Sequence, residues 1–304
     1  MGTPVFAVPS LESLVENGYR PVAVVTAPDK PRGRGQKLSP TPVKEAALRL
    51  GAGEILQPES VRDPGFVRQL EALAPDLVVV VAFRILPPEV FRLPRLGAFN
   101  LHGSLLPRYR GAAPINRAVM AGETETGVTT FFLQEKVDTG DMLLQRRMPI
   151  GPDETAGDVH DRMMMLGAEA VLETVRLIEA GRAVPQRQSD ALATPAPKIF
   201  RDDCRIPWHR PAGAVHDHVR GLSPYPGAWT THGATLLKIY RTRRLDDAPT
   251  AAPGTVLEAG QRLVVACGEG AVELLEVQQE GRRSLPAEAF LRGYELEEGE
   301  GLNG

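Results

Sequence analysis

Apolar positions follow two different rhythms along the chain. Over residues 1–180, short apolar runs alternate with stretches of helical period. Pro21–Thr26 (PVAVVT) is a β-branched run that predicts a buried strand. Asp76–Ala82 (DLVVVVA) is apolar on both faces, as a strand covered by helices on each side must be. Ala98–Leu101, Gly127–Leu133 and Met142–Ile150 predict further strands. Val8–Gly18 and Val43–Gly51 carry helical spacing. Thr155–Ala180 is a long amphipathic stretch stopped by Gly181. Strand–helix alternation of this kind predicts an α/β doubly wound parallel sheet over residues 1–181.

The rhythm changes after that. Pro185, Pro195 and Pro197 stand among polar residues in 182–206, as in a linker crossing a surface. From 207 to 304 the pattern is one of short strands: Ala228–Thr231, Thr235–Tyr240, Gly254–Glu258, Leu263–Ala266 and Val272–Val277. Five short strands with Gly-rich turns predict a small β-barrel of the OB-like type.

Composition adds limits rather than chemistry. In 304 residues, 42% are hydrophobic and 24% charged, an ordinary balance for a two-domain globular chain. The longest apolar run, Leu77–Phe83, is too short to span a bilayer. The first residues lack the charged and apolar regions of a secretory leader, so no membrane partner and a cytoplasmic location are expected. Cys204 and Cys267 cannot build a disulfide framework and lie in no metal-ligand spacing, so no metal is expected. The net charge of -3 hides a segregation. Residues 199–245 hold eight Arg/Lys against three Asp, whereas 246–304 hold four Arg against twelve Asp/Glu. A basic stretch on a mildly acidic protein can serve as a phosphate-binding face, or as an ordinary mixed surface.

The candidate chemistry lies in Asn100, His102 and Asp138. Asn100 and His102 end a predicted strand, and positions two apart on a strand share a face. In open α/β sheets, ligands bind at the carboxyl ends of the strands. Asp138 sits in VDTGDM, where Thr139 and Gly140 predict a turn that presents the carboxylate. An amide and an imidazole can stabilise an oxyanion as an amine attacks a formyl carbon. A nearby carboxylate can help the imidazole relay the protons that must leave one nitrogen and reach the other. Taken singly, a strand-end His and an Asp in a turn are more often structural. A Ser104–His102–Asp138 hydrolase would also use these residues, but Ser104 lacks the G-x-S-x-G elbow. A nicotinamide dehydrogenase is disfavoured, since no G-x-G-x-x-G follows a strand.

The stretch Asn100–Pro114 (NLHGSLLPRYRGAAP) resembles the signature of the methionyl-tRNA formyltransferase family. Further resemblance follows in order along nearly the whole chain: GTPVFAVPSL at Gly2–Leu11, KPRGRGQKLSPTPVK at Lys30–Lys44, ETGVTTFFL at Glu125–Leu133, VDTGDML at Val137–Leu143 and SPYPGAW at Ser223–Trp229. The resemblance implies a Rossmann-like catalytic domain followed by an OB-like domain that binds tRNA. It implies 10-formyltetrahydrofolate as co-substrate and initiator methionyl-tRNA as acceptor, with a monomer expected. Asn100, His102 and Asp138 match the family's catalytic triplet, and Ser104, Leu105, Leu106 and Pro107 match the stretch lining its folate site. The Arg/Gly loop carries Arg32, Arg34 and Lys37, which the resemblance assigns to the tRNA acceptor end, and Lys198 resembles a linker position facing the tRNA.

Three departures stand out. Ala82–Pro87 (AFRILP) is one residue shorter than the family's usual stretch, and Pro207 stands where relatives have an acidic residue. The chain also opens directly on Gly2-Thr3-Pro4, without the apolar strand that precedes this loop in the family. The expectation is that the native start lies upstream of Met1. Two rival readings remain: a formyltransferase acting on glycinamide ribonucleotide or an amino sugar nucleotide, and a non-catalytic tRNA-binding protein.

Overall fold

A computed structural model describes residues 1–32, 37–245 and 251–304. It divides into two compact units, one built from 1–114, 126–148 and 160–196, the other from 115–125, 149–159 and 197–304.

In the first unit α1 (Val8–Glu16), β1 (Ala23–Val25), β2 (Lys30–Arg32) and β3 (Lys37–Ser39) are followed by α2 (Pro42–Leu50), β4 (Glu54–Leu56) and α3 (Pro64–Leu73). Then come β5 (Val78–Val81), α4 (Pro88–Phe91), β6 (Ala98–His102), α5 (Pro114–Met120), β7 (Glu125–Phe132), β8 (Met142–Pro149) and α6 (Ala156–Glu179), several of which straddle the division into units. Local chemistry sets the helix ends. Thr41 accepts from Lys44 N (3.1 Å) and Asp63 from Phe66 N (3.0 Å), each followed by Pro at the first helical position. Gly51 closes α2 in the left-handed conformation.

The expectation of one parallel sheet is corrected. β1 and β4 form a parallel pair, and a separate four-stranded sheet runs β5-β6-β7-β8. In it β5 and β6 are parallel, but β7 is antiparallel to β6, so the sheet is mixed. The burial pattern of β7 hides this, because six of its eight residues are buried. A strand covered on both faces buries the residues of both faces whichever way it runs, here with Thr126, Thr129 and Thr130 among them. Between β1 and β5 lies a cavity of about 350 Å³ lined by Leu11, Leu14, Val25, Leu70 and Val79 among others. Met1 and Gly2 bridge one end of it: Met1 N donates to Val79 O (2.6 Å), Val81 N to Met1 O (2.9 Å) and Gly2 N to Val25 O (3.0 Å).

The second unit holds α7 (Ala212–Leu222), β9 (Ala228–His232), β10 (Thr235–Leu245), β11 (Val256–Ala259), β12 (Leu263–Ala266), β13 (Ala271–Gln279), β14 (Leu285–Pro286) and α8 (Ala287–Leu291). The OB-like barrel is corrected as well. The strands form one open sheet in the order β11-β12-β13-β10-β9, with β14 on β13. Its edges β9 and β11 do not pair with each other. The chain end runs past that region through the bridges Thr255↔Gly301 and Thr231↔Asn303, with Val256 N donating to Glu300 O (2.8 Å) and Leu302 N to Gly254 O (2.8 Å). α7 packs on β10 and β13 and buries Val215, Val219 and Leu222 in a core with Trp208, Ile239, Leu263 and Leu274. With a helix covering its apolar face, the sheet has no need to close on itself.

Two outcomes follow from these packings. A parallel ladder alternates its hydrogen bonds between neighbours, so the N–H groups of Ala23, Val25 and Val79 point towards the cavity. We expect them to exchange with solvent deuterium faster than those of Val24, Val78 and Val80, as read by residue-resolved hydrogen exchange; equal protection would contradict this. The other concerns His218 on α7, which is buried with no partner on Nε2, and burial pushes its pKa from 6.5 down to about 4. The unfolded chain takes up a proton that the folded state refuses, so this contribution is complete above pH 6.5 and is lost as pH falls towards 4. His218→Leu should remove on the order of 3 kcal/mol of that pH dependence, measured by urea unfolding at pH 7 and pH 4.5.

Candidate active site

β6 lies between β5 and β7, with Asn100 opposite Val80 and Phe131, and His102 opposite Thr129. Buried neighbours on both sides hold the strand rigid where it delivers its two polar side chains. His102 is buried, and its ring stands edge-on to Phe131 with centroids 6.4 Å apart. Its Nε2 lies 2.8 Å from the backbone carbonyl of Tyr109. A carbonyl only accepts, so Nε2 carries the proton and donates it there. The free nitrogen is Nδ1, which faces Asp138 Oδ2 at 3.8 Å. Among the described residues nothing hydrogen-bonds the half-buried side-chain amide of Asn100. That amide is therefore available to an incoming oxygen.

Asp138 reaches the pair from the turn between β7 and β8. Its backbone is left-handed, at φ 55°, unusual for a residue with a side chain. Its Oδ2 accepts from Gly111 N (2.9 Å), which leaves Oδ1 unengaged by that bond. Two residues on, Gly140 makes the turn possible: a Cβ there would lie 1.6 Å from Phe132 O. The glycine of the DTG motif is thus a steric requirement.

Ser104, Leu105, Leu106 and Pro107 follow β6 directly. Ser104 is fully buried and its hydroxyl donates to Arg108 O (2.6 Å). That engagement suits a turn brace and not a nucleophile. Leu106 is buried, with its N–H donating to Thr129 Oγ1 (3.1 Å) and its carbonyl accepting from Gln145 (2.8 Å). Leu105 and Pro107 are half-buried. Arg32 and Lys37 end the β2–β3 hairpin, paired in register with one another, while Arg34 lies outside the described residues. Lys198, in the second unit, is exposed, with its ammonium 5.6 Å from the Phe200 ring centroid. Among the described residues there is no cluster of metal-ligating side chains, and no helix is long and apolar enough to cross a membrane.

Sequence reasoning missed the second layer of the site. The turn Tyr109–Gly111 touches both titratable residues, through the Tyr109 carbonyl and the Gly111 N–H. Arg110 between them is not a surface cation: its guanidinium binds Gln188 Oε1 and Asp190 Oδ1 (2.7 Å). Gln188 comes from the Pro-rich stretch after α6, where no periodicity distinguishes it from a surface residue.

The chain matches the family model described as formyl transferase over residues 1–175 and that of its C-terminal domain over 198–295. It is 49% identical to a methionyl-tRNA formyltransferase of Chlorobium luteolum over 303 residues, covering 98% of this chain and 96% of that one. It is 46% identical to one from Caldanaerobacter subterraneus, covering 98% and 97%. Among solved structures, an N-formyltransferase from Helicobacter canadensis, in complex with folinic acid and dTDP-3-aminofucose, superposes with a TM-score of 0.67 at 20% identity, over 90% of this chain and 96% of that one.

The turn at Gly140 provides a test of how the site is built. Gly140→Ala must displace either Phe132 or the turn carrying Asp138. We expect a lower melting temperature, by several degrees, together with a shifted His102 resonance in NMR spectra. An unchanged melt and an unchanged His102 signal would show that the turn tolerates a side chain.

Proposed function

The chain belongs to the methionyl-tRNA formyltransferase family, and from this we infer that it moves the formyl group of 10-formyltetrahydrofolate to the amino group of methionyl-initiator-tRNA, the step that prepares this tRNA for translation initiation. The observation that carries the reading is the near full-length identity to curated enzymes of this activity. The disposition of Asn100, His102 and Asp138 is in keeping with it.

In this reading each residue has one task. His102 Nδ1 takes the proton from the attacking amine, since Nε2 is held by Tyr109. Asp138, 3.8 Å away, stabilises the imidazolium that results. Asn100 donates its amide N–H to the formyl oxygen as negative charge develops on it. When the bond between the formyl carbon and the folate nitrogen breaks, the imidazolium returns its proton to that nitrogen. The products are formylmethionyl-tRNA and tetrahydrofolate. In the stretch Ser104, Leu105, Leu106 and Pro107, the half-buried Leu105 and Pro107 form the wall on which the folate rests, and the buried Ser104 and Leu106 back it. All three catalytic residues come from one chain, so a monomer suffices. The two buried cysteines stay reduced in the cytoplasm.

For the tRNA, Arg32, Arg34, Lys37 and Lys198 are the proposed phosphate contacts. What supports this is the cation-rich composition of the hairpin and of residues 199–245. In the latter, Arg201 and Arg205 lie over the Trp229 ring at 5.8 and 5.6 Å. Such pairs keep guanidinium groups arrayed on a surface.

An assay offering methionyl-tRNA and glycinamide ribonucleotide side by side tests the function directly. Transfer to methionyl-tRNA should dominate, and His102→Ala, Asn100→Ala or Asp138→Ala should each lower turnover by on the order of a hundredfold. Preference for the ribonucleotide, or near-normal turnover in His102→Ala, would overturn the assignment. In separate binding measurements, replacing Arg32, Arg34 and Lys37 together by Ala should flatten the salt dependence of tRNA affinity by roughly 0.7–0.9 log units per lost phosphate contact. The folate affinity should be unchanged. A wild-type slope would show that the hairpin does not touch the tRNA.

A further inference from the structure

Gln188 lies outside the catalytic triplet, yet it is buried and uses all four of its hydrogen-bonding positions. Its amide N–H groups donate to Asp138 O (3.0 Å) and Gly140 O (2.8 Å), the two ends of the turn that presents the Asp138 carboxylate. Its Oε1 accepts from Arg110 Nε (3.0 Å) and Nη2 (2.8 Å). The amide orientation is unambiguous: reversed, it would set N–H groups against a guanidinium and an oxygen against two carbonyls.

These four bonds join two turns. One holds Asp138 in a left-handed conformation that is intrinsically unfavourable for a residue with a side chain and persists only where its surroundings impose it. The other, Tyr109–Gly111, receives the His102 proton on the Tyr109 carbonyl and gives its Gly111 N–H to Asp138. It is anchored from the same segment as Gln188. Tyr109 N donates to Thr194 Oγ1 (2.8 Å), Arg110 N to Thr194 O (2.8 Å) and Ala196 N to Arg110 O (2.6 Å). The distance between imidazole and carboxylate is therefore set by two turns that meet at one side chain. We propose that Gln188 is a positioning residue for the formyl transfer, locking the turn of Asp138 to the turn that holds His102 so that carboxylate and imidazole stay in register. This rests on the catalytic assignment above.

Gln188→Glu separates the two halves of the role. It keeps the size of the side chain and its oxygen facing Arg110, but removes both N–H donors to the turn carbonyls. We expect it to fold, with KM for both substrates within about twofold of wild type. Turnover should fall about tenfold or more, and the pH–rate limb that reports the His102–Asp138 pair should be displaced. Gln188→Met, which removes all four bonds, should show the same displacement and serves if the Glu variant fails to fold. Asp190→Asn removes only the charge of the exposed partner of Arg110 while keeping an oxygen acceptor, and should leave turnover and pH profile as in wild type. NMR titration of the His102 ring gives a readout independent of turnover: its midpoint should move in Gln188→Glu and stay in Asp190→Asn.

The results separate the two proposals. An inactive wild-type protein would sink the formyl-transfer reading while leaving the NMR comparison to judge Gln188. Unchanged turnover and titration in Gln188→Glu would overturn the positioning role. So would reduced turnover with an unmoved pH profile and a lowered melting temperature, which would mark a purely structural residue. An equal shift in Asp190→Asn would transfer the effect to Arg110 and also overturn it.

Discussion

The hydrogen bond from His102 Nε2 to the Tyr109 carbonyl decides which nitrogen of the imidazole is free to react, and the arrangement of the site depends on it. With Nε2 occupied, the remaining nitrogen is the one that looks at Asp138. The same short turn supplies Gly111 N–H to the Asp138 carboxylate, so imidazole and carboxylate are oriented by one piece of backbone. That backbone is in turn held by residues 188–196 of the same unit, which follow the end of the long helix α6. A site of this kind needs no unusual side chain. It needs three ordinary ones delivered by elements that cannot shift independently.

Those elements differ in rigidity for physical reasons. β6 is paired on both sides, with its own Phe99 and Leu101 and the neighbouring Phe131 of β7 buried, so Asn100 and His102 move only if the sheet moves. Asp138 sits on a turn with a left-handed residue, where local preference alone would favour other conformations. The steric demand at Gly140 and the contacts of the turn carbonyls make up for that. The second unit solves another problem. Its open sheet is covered by α7, and a core of Trp208, Leu222, Ile239 and Leu274 forms between them. One consequence is a buried histidine, His218, neutral through desolvation and sensitive to acid.

The chain's own pattern revealed several features and concealed others. The strand of β5 was readable from VVVV, and β6 from the short apolar run that Asn100 and His102 end. Direction was not readable: β7 is buried at six of its eight positions, as a parallel strand covered on both faces would be, yet it runs antiparallel to β6. The barrel expected for residues 207–304 failed on α7. Its eleven residues include Gly213, Gly221, His216 and His218, which weaken the helical rhythm and left the strands as the visible feature. β4, at three residues, was too short to stand out, whereas α3, with ten residues and a sound helix start at Asp63–Pro64, was legible and was not read.

Sequence by itself determined the residue types and local devices of this protein: the order of motifs, the Asn-x-His spacing that puts two side chains on one strand face, and the glycine that a tight turn demands. These are properties of neighbouring residues, and covalent geometry transmits them. Only the tertiary structure decided that Asp138 comes within 3.8 Å of His102, that the Tyr109 carbonyl selects the tautomer, and that Arg110 is bound by Gln188 and not free for phosphate. Those contacts join residues between 7 and 78 positions apart. Their distances depend on how strands pair and turns pack, and no local pattern encodes that.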